Sequence, residues 1–437
     1  MAKINAKARI IIKGEDDTVR RKQTAILLLS VFCLAVFVGC SGTRPDDTQV
    51  TQAPSDAPVI TGADFDNRFG QGYSNLAETD DAYYFRGFNS GFLYYFDKAS
   101  GESAVLCGKP ECLHDPDDCN AYIGKIGRSL NLYDGRLYFV SPDSSNNKLG
   151  YYSIALDGTD RKLETHLDDE QSMMCYDLHR GMLYGWRNYE KVADGIPVNA
   201  IDIRRFDPKT GESKTLLSVE TTEACSQPSI FFYGKYVYYC YNTEIYDIDP
   251  KTDEISNHRG TLYVGRIDTE TLESELLFEQ TKEMGFGSEF RLWVEGEDRI
   301  FLVPALSAVN EESVNVYLLS GGELSIAHTF SGMGSAYPIE GAAVKIYPSG
   351  SHAEIWGFDG TEICNGDWQT EFENADGEKY IVSAVDTAYG DLTTLFVVYS
   401  VKIDGQPRSQ GLTTCLVRYD LTAGELKPEL LMICPNS

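Results

Sequence analysis

A phrase that recurs along most of the chain is the feature that most restricts its fold. The phrase is a run of Tyr, Phe, Val, Ile and Leu that ends in Asp and leads through a polar turn to Gly-Glu. It occurs in full at 93–102 (LYYFDKASGE), 203–212 (IRRFDPKTGE) and 416–425 (LVRYDLTAGE). Asp bonds to nearby amides in turns, and Gly accepts positive φ angles. The phrase therefore predicts a strand, a tight turn and a further strand.

A second strand-like run precedes each of these phrases. It follows an acidic or glycine turn and is rich in Tyr, as at 81–85 (DAYYF), 134–140 (DGRLYFV) and 233–239 (YGKYVYY). The chain holds 27 Tyr and 20 Phe, which suit pleated, half-buried surfaces. Because helical periodicity is almost absent, the pattern predicts an all-β fold.

The turns that open these units recur at a nearly regular spacing. They lie near residues 81, 134, 180, 234, 297 and 391, and a weaker copy at 343–347 and 355–360 fills the widest gap. Periods of roughly 40–50 residues with several strands each are typical of propeller blades. We therefore predict a β-propeller of about seven four-stranded blades over residues 63–437. Another all-β fold is the alternative.

The segment before the repeats has the pattern of an export signal. Residues 1–23 are polar and basic, and residues 25–39 (AILLLSVFCLAVFVG) are apolar and uncharged. A basic segment followed by roughly 7–15 apolar residues is typical of a signal peptide, whereas a spanning helix needs about 20. We assign residues 1–39 to a signal peptide, with an uncleaved signal anchor as the alternative.

Residues 37–40 (FVGC) resemble the bacterial lipobox, in which a small residue precedes an invariant cysteine. The resemblance implies cleavage before Cys40 and acylation of that cysteine with palmitate-type chains, which anchor a protein firmly. Residues 40–62 are small, polar and proline-bearing, so they form a flexible tether in this interpretation. The expected location is the extracytoplasmic face of the cell membrane.

The charge of the chain excludes one class of partner. The formal net charge is −28, and removal of the basic residues 1–39 makes the remainder more acidic. A strongly acidic surface repels phosphate backbones, so we expect no nucleic-acid partner. We expect the lipid anchor to hold the protein at the membrane.

One cluster of residues has the composition of a metal site. Cys107, Cys112, His114 and Cys119 follow the spacing C-x4-C-x-H-x4-C. Three thiolates and an imidazole are a tetrahedral ligand set for zinc, and a closed site of four protein ligands is structural. A single disulfide among the three cysteines, with the third free or packed, is the solution that exported proteins more often use, and a loop with neither metal nor disulfide is the remaining alternative. No other cofactor is predicted.

The segment around this cluster also carries a family resemblance. Residues 106–121 (LCGKPECLHDPDDCNA), together with the repeats, resemble β-propeller lipoproteins of clostridial-type bacteria and more loosely TolB-like propellers. The resemblance covers most of the chain after the tether. It implies the propeller fold and the surface location, and it implies no activity.

The sequence contains no catalytic motif of the kinds that can be read directly. It has no G-x-S-x-G elbow, no P-loop, no G-x-G-x-x-G run and no H-E-x-x-H pair. We therefore predict no catalytic residues and a non-catalytic binding or scaffold propeller for a glycan, a peptide or an envelope protein. Two alternatives stay open: a carbohydrate-active hydrolase or lyase with carboxylates in the funnel, and an accessory lipoprotein of a membrane complex.

Overall fold

The computed structural model describes residues 75–435, apart from 88–89, 117, 125–127, 144–147, 168–175, 252–254, 284–285, 287–288, 306–312, 333, 348–350, 369, 375–376, 406–411 and 423–425. The predictions for residues 1–39, for Cys40 and for the tether at 40–62 lie outside these residues, as does the start of the predicted 63–437 domain. Within the described ranges every regular element is a β-strand. No helix in this part of the chain has the length and apolar character to span a bilayer.

The described strands form seven antiparallel sheets, each made of strands that are consecutive in the sequence. The first sheet contains β1 (Leu76–Glu78), β2 (Ala82–Arg86), β3 (Leu93–Asp97) and β4 (Ser103–Val105). The second contains β5 (Arg128–Tyr133), β6 (Arg136–Asp143), β7 (Lys148–Ala155) and β8 (Lys162–Leu167). The third contains β9 (Asp177–His179), β10 (Met182–Ala193), β11 (Ile196–Phe206) and β12 (Ser213–Thr221).

The remaining four sheets follow the same plan, and two of them have a fifth strand. The fourth contains β13 (Ala224–Cys225), β14 (Ser229–Tyr233), β15 (Tyr236–Ile248), β16 (Ile255–Asp268) and β17 (Ser274–Glu283). The fifth contains β18 (Phe290–Gly296), β19 (Arg299–Pro304), β20 (Ser313–Ser320) and β21 (Glu323–Ser331). The sixth contains β22 (Ser335–Ile339), β23 (Ala342–Ile346), β24 (His352–Gly357) and β25 (Glu362–Asp367). The seventh contains β26 (Glu371–Glu373), β27 (Lys379–Gly390), β28 (Thr394–Ile403), β29 (Thr413–Asp420) and β30 (Pro428–Cys434).

The predicted Asp turn closes the last hairpin of six sheets. At the end of β3, the Asp97 carboxylate accepts the amide N–H groups of Ala99 and Ser100 at 3.0 and 2.7 Å. The same Asp-to-amide bond recurs at Asp157, Asp207, Asp268, Asp359 and Asp420. The fifth sheet turns instead through Gly321 and Gly322, both with positive φ. The repeated phrase is thus a local device that reverses the chain at the same point of each sheet.

The apolar cores lie between neighbouring sheets rather than inside any one of them. Separate clusters join the second sheet to the third, the third to the fourth, and the sixth to the seventh. A larger cluster joins the fourth, fifth and sixth sheets. Because each sheet is covered on both faces by its neighbours, the domain is a seven-bladed β-propeller, which confirms the predicted fold class.

Side-chain packing between the seventh and first sheets closes the ring. The rings of Tyr83 and Phe396 meet edge to face at 5.0 Å, and Arg418 donates a hydrogen bond to the Tyr83 hydroxyl at 3.3 Å. Gly87 leaves room for Cys434, whose Cβ would be 2.6 Å from any Cβ at position 87. Among the described strands, none from one end of the chain completes a sheet at the other end. The described contacts between the seventh and first sheets are therefore made by side chains, both apolar and polar.

Candidate metal centre

The predicted metal ligands lie on the connector, which we define as residues 106–124, between the first and second sheets. The connector is fixed to the first sheet by a bond from the Leu106 amide to the Leu93 carbonyl at 2.9 Å and by a β-bridge between Phe92 and Tyr122. Its residues Cys119, Ala121 and Ile123 are buried in the core shared by the first, second and seventh sheets. The connector is thus part of the wall between two blades.

The other side of the connector rests on the turn between β7 and β8. Gly158 in this turn has a φ of 77°, and its carbonyl accepts the amide of Gly108 at 3.0 Å and the side-chain amide of Asn120 at 3.1 Å. A Cβ at position 158 would lie 2.8 Å from the backbone nitrogens of Cys107 and Gly108. Only glycine permits this close approach of two backbone segments.

The structure brings all four predicted ligands together. The Sγ atoms of Cys107, Cys112 and Cys119 and a ring nitrogen of His114 lie within 4.8 Å of one another, and we call this group the Cys3His cluster. Cys119 Sγ is 3.5 Å from His114 Nδ1. The three cysteines are unpaired in this structure, with Cys119 buried, Cys107 and Cys112 half-buried, and His114 exposed. The four residues could hold a metal such as zinc, and the disulfide alternative stays a prediction.

Each sulfur of the cluster faces the backbone amide two residues further along. The His114 N–H donates to Cys112 Sγ at 3.4 Å, and the amides of Lys109 and Ala121 do the same for Cys107 and Cys119. Such bonds stabilise the thiolate form. Burial raises the pKa of Cys107. The amide bonds and the neighbouring thiols together lower it by more than burial raises it, so the pKa falls below its ordinary value.

The buried sulfur of the cluster behaves in the opposite way. Burial, followed by the neighbouring thiol of Cys107, raises the pKa of Cys119 to about 12. The Lys109 ammonium lies on the same connector. It forms an ion pair with the carboxylate of Asp118, the residue before Cys119, at 2.7 Å and also bonds to the Asp118 carbonyl. The pKa of Lys109 is raised by Asp118 first and also by Cys112 and Cys107. The connector therefore places positive charge beside sulfurs that would be negative as metal ligands.

The described cysteines outside the cluster are mostly packed in strands. Cys240, Cys415 and Cys434 are buried, and burial raises the pKa of each thiol. Cys225 and Cys364 are half-buried. None of these five joins a metal-type cluster among the described residues.

A surface that the sequence did not predict lies on the third and fourth sheets. The hairpins β10–β11 and β15–β16 continue past the short inner strands that pair with their first residues. Their outer parts carry large apolar side chains that are 40–70% exposed, and we call them the hairpin surface: Val192, Ile196, Ile245, Tyr246 and Ile248. The segment 244–249 (EIYDID) holds three of these apolar side chains among three acidic ones.

The two hairpins brace each other below this surface. Asn188 of β10 donates to the carbonyl of Cys225 at 3.2 Å, and Asn199 of β11 donates to the carbonyl of Glu223 at 2.7 Å. Cys225 in turn pairs with Thr243 of β15 through the short strand β13. The outer parts of both hairpins therefore begin at the same level and are fixed relative to each other.

The sequence did not predict the buried carboxyl of Asp386. Asp386 on β27 is 9% exposed and accepts a hydrogen bond from the Ser400 hydroxyl at 2.8 Å. Burial raises its pKa from 3.8 to about 7, against a smaller lowering by Ser400. Because it lies beside buried Cys415 and Tyr337, the group belongs to the packing of the sixth and seventh sheets.

Similarity to known proteins concerns the fold. No protein-family model and no curated protein matches the chain. The β-propeller domain of the Trilobed protease from Pyrococcus furiosus, described as having an open velcro topology, matches 84% of this chain and 99% of its own at 13% identity and a TM-score of 0.44. A protein assigned as a 6-phosphogluconolactonase from Bacteroides uniformis matches 83% of this chain and 96% of its own at 11% identity and a TM-score of 0.40.

A third structure is similar to part of the chain. A protein assigned as a TolB from Agrobacterium tumefaciens matches 60% of this chain and 82% of its own at 13% identity and a TM-score of 0.30. The structures similar to this chain thus include β-propeller proteins, one of them assigned as a TolB. The resemblance to clostridial lipoproteins stays a prediction.

Proposed function

We propose that the chain is a lipid-anchored extracytoplasmic lipoprotein whose propeller is a non-catalytic binding module for an envelope protein. The observation that carries the binding function is the hairpin surface. Five large apolar side chains on these two neighbouring hairpins are 40–70% exposed, with Val192 and Ile196 on opposite faces of the β10–β11 hairpin. Exposed apolar side chains that are concentrated in one part of a domain mark interaction sites.

The composition of the hairpin surface favours a protein over a glycan. Four of its five members are aliphatic, and Tyr246 is the one aromatic side chain. Sugars are recognised by stacking on flat aromatic faces, whereas protein interfaces bury aliphatic and aromatic anchors inside a polar rim. The acidic chain, with a net charge of −28, favours a partner whose rim is basic.

The membrane location is supported by the sequence of residues 1–62. The basic segment, the apolar run and Cys40 together form the pattern of a lipidated precursor, and the polar tether would hold the propeller away from the headgroups. Labelling of growing cells with a palmitate analogue tests this. We expect label on the chain, loss of label in Cys40→Ser, and retention of label in the control Cys33→Ser. Label that persists in Cys40→Ser would contradict the anchor.

Site-specific photo-cross-linking in cells tests the binding function. A photoreactive residue replaces Ile196 of the hairpin surface, and a second full-length variant carries it at Ile326 of β21, which has matched exposure (55% and 56%). We expect a discrete protein adduct from position 196, which Ile248→Asp in the same chain removes, and none from position 326. Equal adducts at both positions, or adducts that Ile248→Asp leaves unchanged, would contradict a specific protein site. The hydrolase alternative stays a prediction that a glycan-cleavage assay checks separately.

A further inference from the structure

We propose that the Cys3His cluster binds one zinc ion, which locks the connector into the wall between the first and second blades. The set of four ligand atoms is complete within one chain and within one segment of thirteen residues. A closed set of four N and S ligands is the coordination of structural zinc. The proposed role is therefore folding and rigidity of this blade boundary, independent of any partner of the hairpin surface.

One spacing within the cluster, between Cys119 Sγ and His114 Nδ1, agrees with tetrahedral coordination. Zn–S bonds of ~2.3 Å and Zn–N bonds of ~2.0 Å at tetrahedral angles place sulfur and nitrogen ~3.5 Å apart. Cys119 Sγ and His114 Nδ1 are 3.5 Å apart. A disulfide would bond two of the three sulfurs and would give the imidazole no role, so it leaves the position of this ring nitrogen unexplained.

The surroundings of the cluster supply the second set of contacts that thiolate ligands require. Each of the three sulfurs faces the amide N–H two residues further along the chain, as described for Lys109, His114 and Ala121. Three thiolates around Zn²⁺ carry a net negative charge, and the Lys109 ammonium stands near the sulfurs of Cys107 and Cys112. Donors and cations that contact the ligand atoms from outside the metal site orient and stabilise them.

Turns rather than strand pairing hold the middle of the connector, as in the bonds from Cys112 N–H to the Lys109 carbonyl and from Cys119 N–H to the Asp115 carbonyl. Within the described residues between β4 and β5 the strand-type pairing is the bridge at Tyr122, and the sequence between the ligands is rich in Pro and Asp. Its two ends are packed, at Leu106 and at Cys119–Ile123, whereas Leu113 and His114 are exposed. A metal bonded to Cys107 and Cys119 at the two ends and to the exposed His114 would tie these parts of the connector together.

The test measures zinc in the full chain, extracted with detergent, reduced, loaded with zinc and dialysed. We expect about one zinc per chain by elemental mass spectrometry. His114→Asn removes the imidazole while Asn tolerates the φ of 56° at this position, so the backbone is not strained. We expect His114→Asn and Cys112→Ser to lose the zinc and the half-buried Cys364→Ser, outside the cluster, to retain it.

Two further measurements separate a metal site from a disulfide and from adventitious binding. Cobalt substitution is expected to give the intense visible absorption of tetrahedral thiolate coordination in the wild-type chain, and His114→Asn is expected to change it. Chelation of the zinc is expected to lower the melting temperature of the wild-type chain and to leave His114→Asn unaffected. A reduced wild-type chain that binds no zinc, or equal zinc in the wild type and both ligand variants, would overturn the proposal.

Discussion

The contact between the connector and the turn at Gly158 allows a quantitative test of how the first two blades are joined. Gly158 and Gly101 occupy equivalent turns, with φ angles of 77° and 76°. A Cβ at 158 would lie 2.8 Å from three backbone atoms of the connector, whereas a Cβ at 101 would meet nothing within 4 Å. Gly158→Ala and Gly101→Ala therefore share the backbone strain and differ in the steric contact.

The expected magnitudes follow from these two terms. A left-handed conformation costs an alanine ~1–2 kcal/mol, partly offset by ~0.4–1 kcal/mol from the reduced freedom of the unfolded chain. Gly101→Ala should therefore lower the free energy of unfolding by ~1 kcal/mol. Carbon atoms ordinarily approach to ~3.5–4.0 Å, so Gly158→Ala must displace the connector and weaken the bonds of Gly108 and Asn120 to the turn. Overpacking adds ~1–3 kcal/mol, for a total of ~2–4 kcal/mol.

Urea denaturation of both full-length variants measures the difference. We expect the Gly158→Ala midpoint to fall well below that of Gly101→Ala, with similar slopes. If zinc fixes the connector, Gly158→Ala should also lose zinc during dialysis faster than Gly101→Ala. Equal midpoints for the two variants would refute the conclusion that the connector is pressed against this turn.

Three further predictions concern the ring closure, the buried carboxyl and the hairpin surface. Phe396→Ala removes a fully buried ring that contacts Tyr83 and should lower the free energy of unfolding, measured by urea denaturation, by ~3–5 kcal/mol. Phe396→Leu should lower it by less than ~1.5 kcal/mol. Similar losses for the two variants would argue against tight packing at this interface. Asp386 has a pKa of about 7 when folded, against 3.8, so its contribution to stability falls as the pH rises from about 4 to about 7. Asp386→Asn should flatten the pH profile of the melting temperature in that window, and an unchanged profile would contradict the assigned burial. Ile196→Asp and Ile326→Asp should each change the free energy of unfolding by less than ~0.5 kcal/mol. Ile196→Asp alone should weaken binding of the partner identified by cross-linking, measured by co-purification. Equal weakening by both variants would contradict the assigned surface.

The sequence by itself determined the class of fold and the repeat. The alternation of Tyr-rich runs with Asp and Gly turns depends on the conformational preferences of short segments. These preferences are set by residues close in sequence and are the same wherever the segment lies in the fold. The Asp97, Asp207 and Asp420 turns are therefore formed as the phrase predicts. The structure also brings the four residues of the Cys3His cluster together, because their spacing is short enough for one loop to do so.

Only the tertiary structure decided how these parts meet. The approach of Gly158 to the connector, the contact of Tyr83 with Phe396, and the bracing of the hairpins by Asn188 each join segments that lie far apart in the sequence or in different sheets. Such contacts depend on how neighbouring sheets pack, and packing is set by the combined shape of many side chains rather than by any local pattern. The exposed hairpin surface has the same origin, since an apolar side chain at Ile196 is indistinguishable in sequence from one that a neighbouring blade would cover.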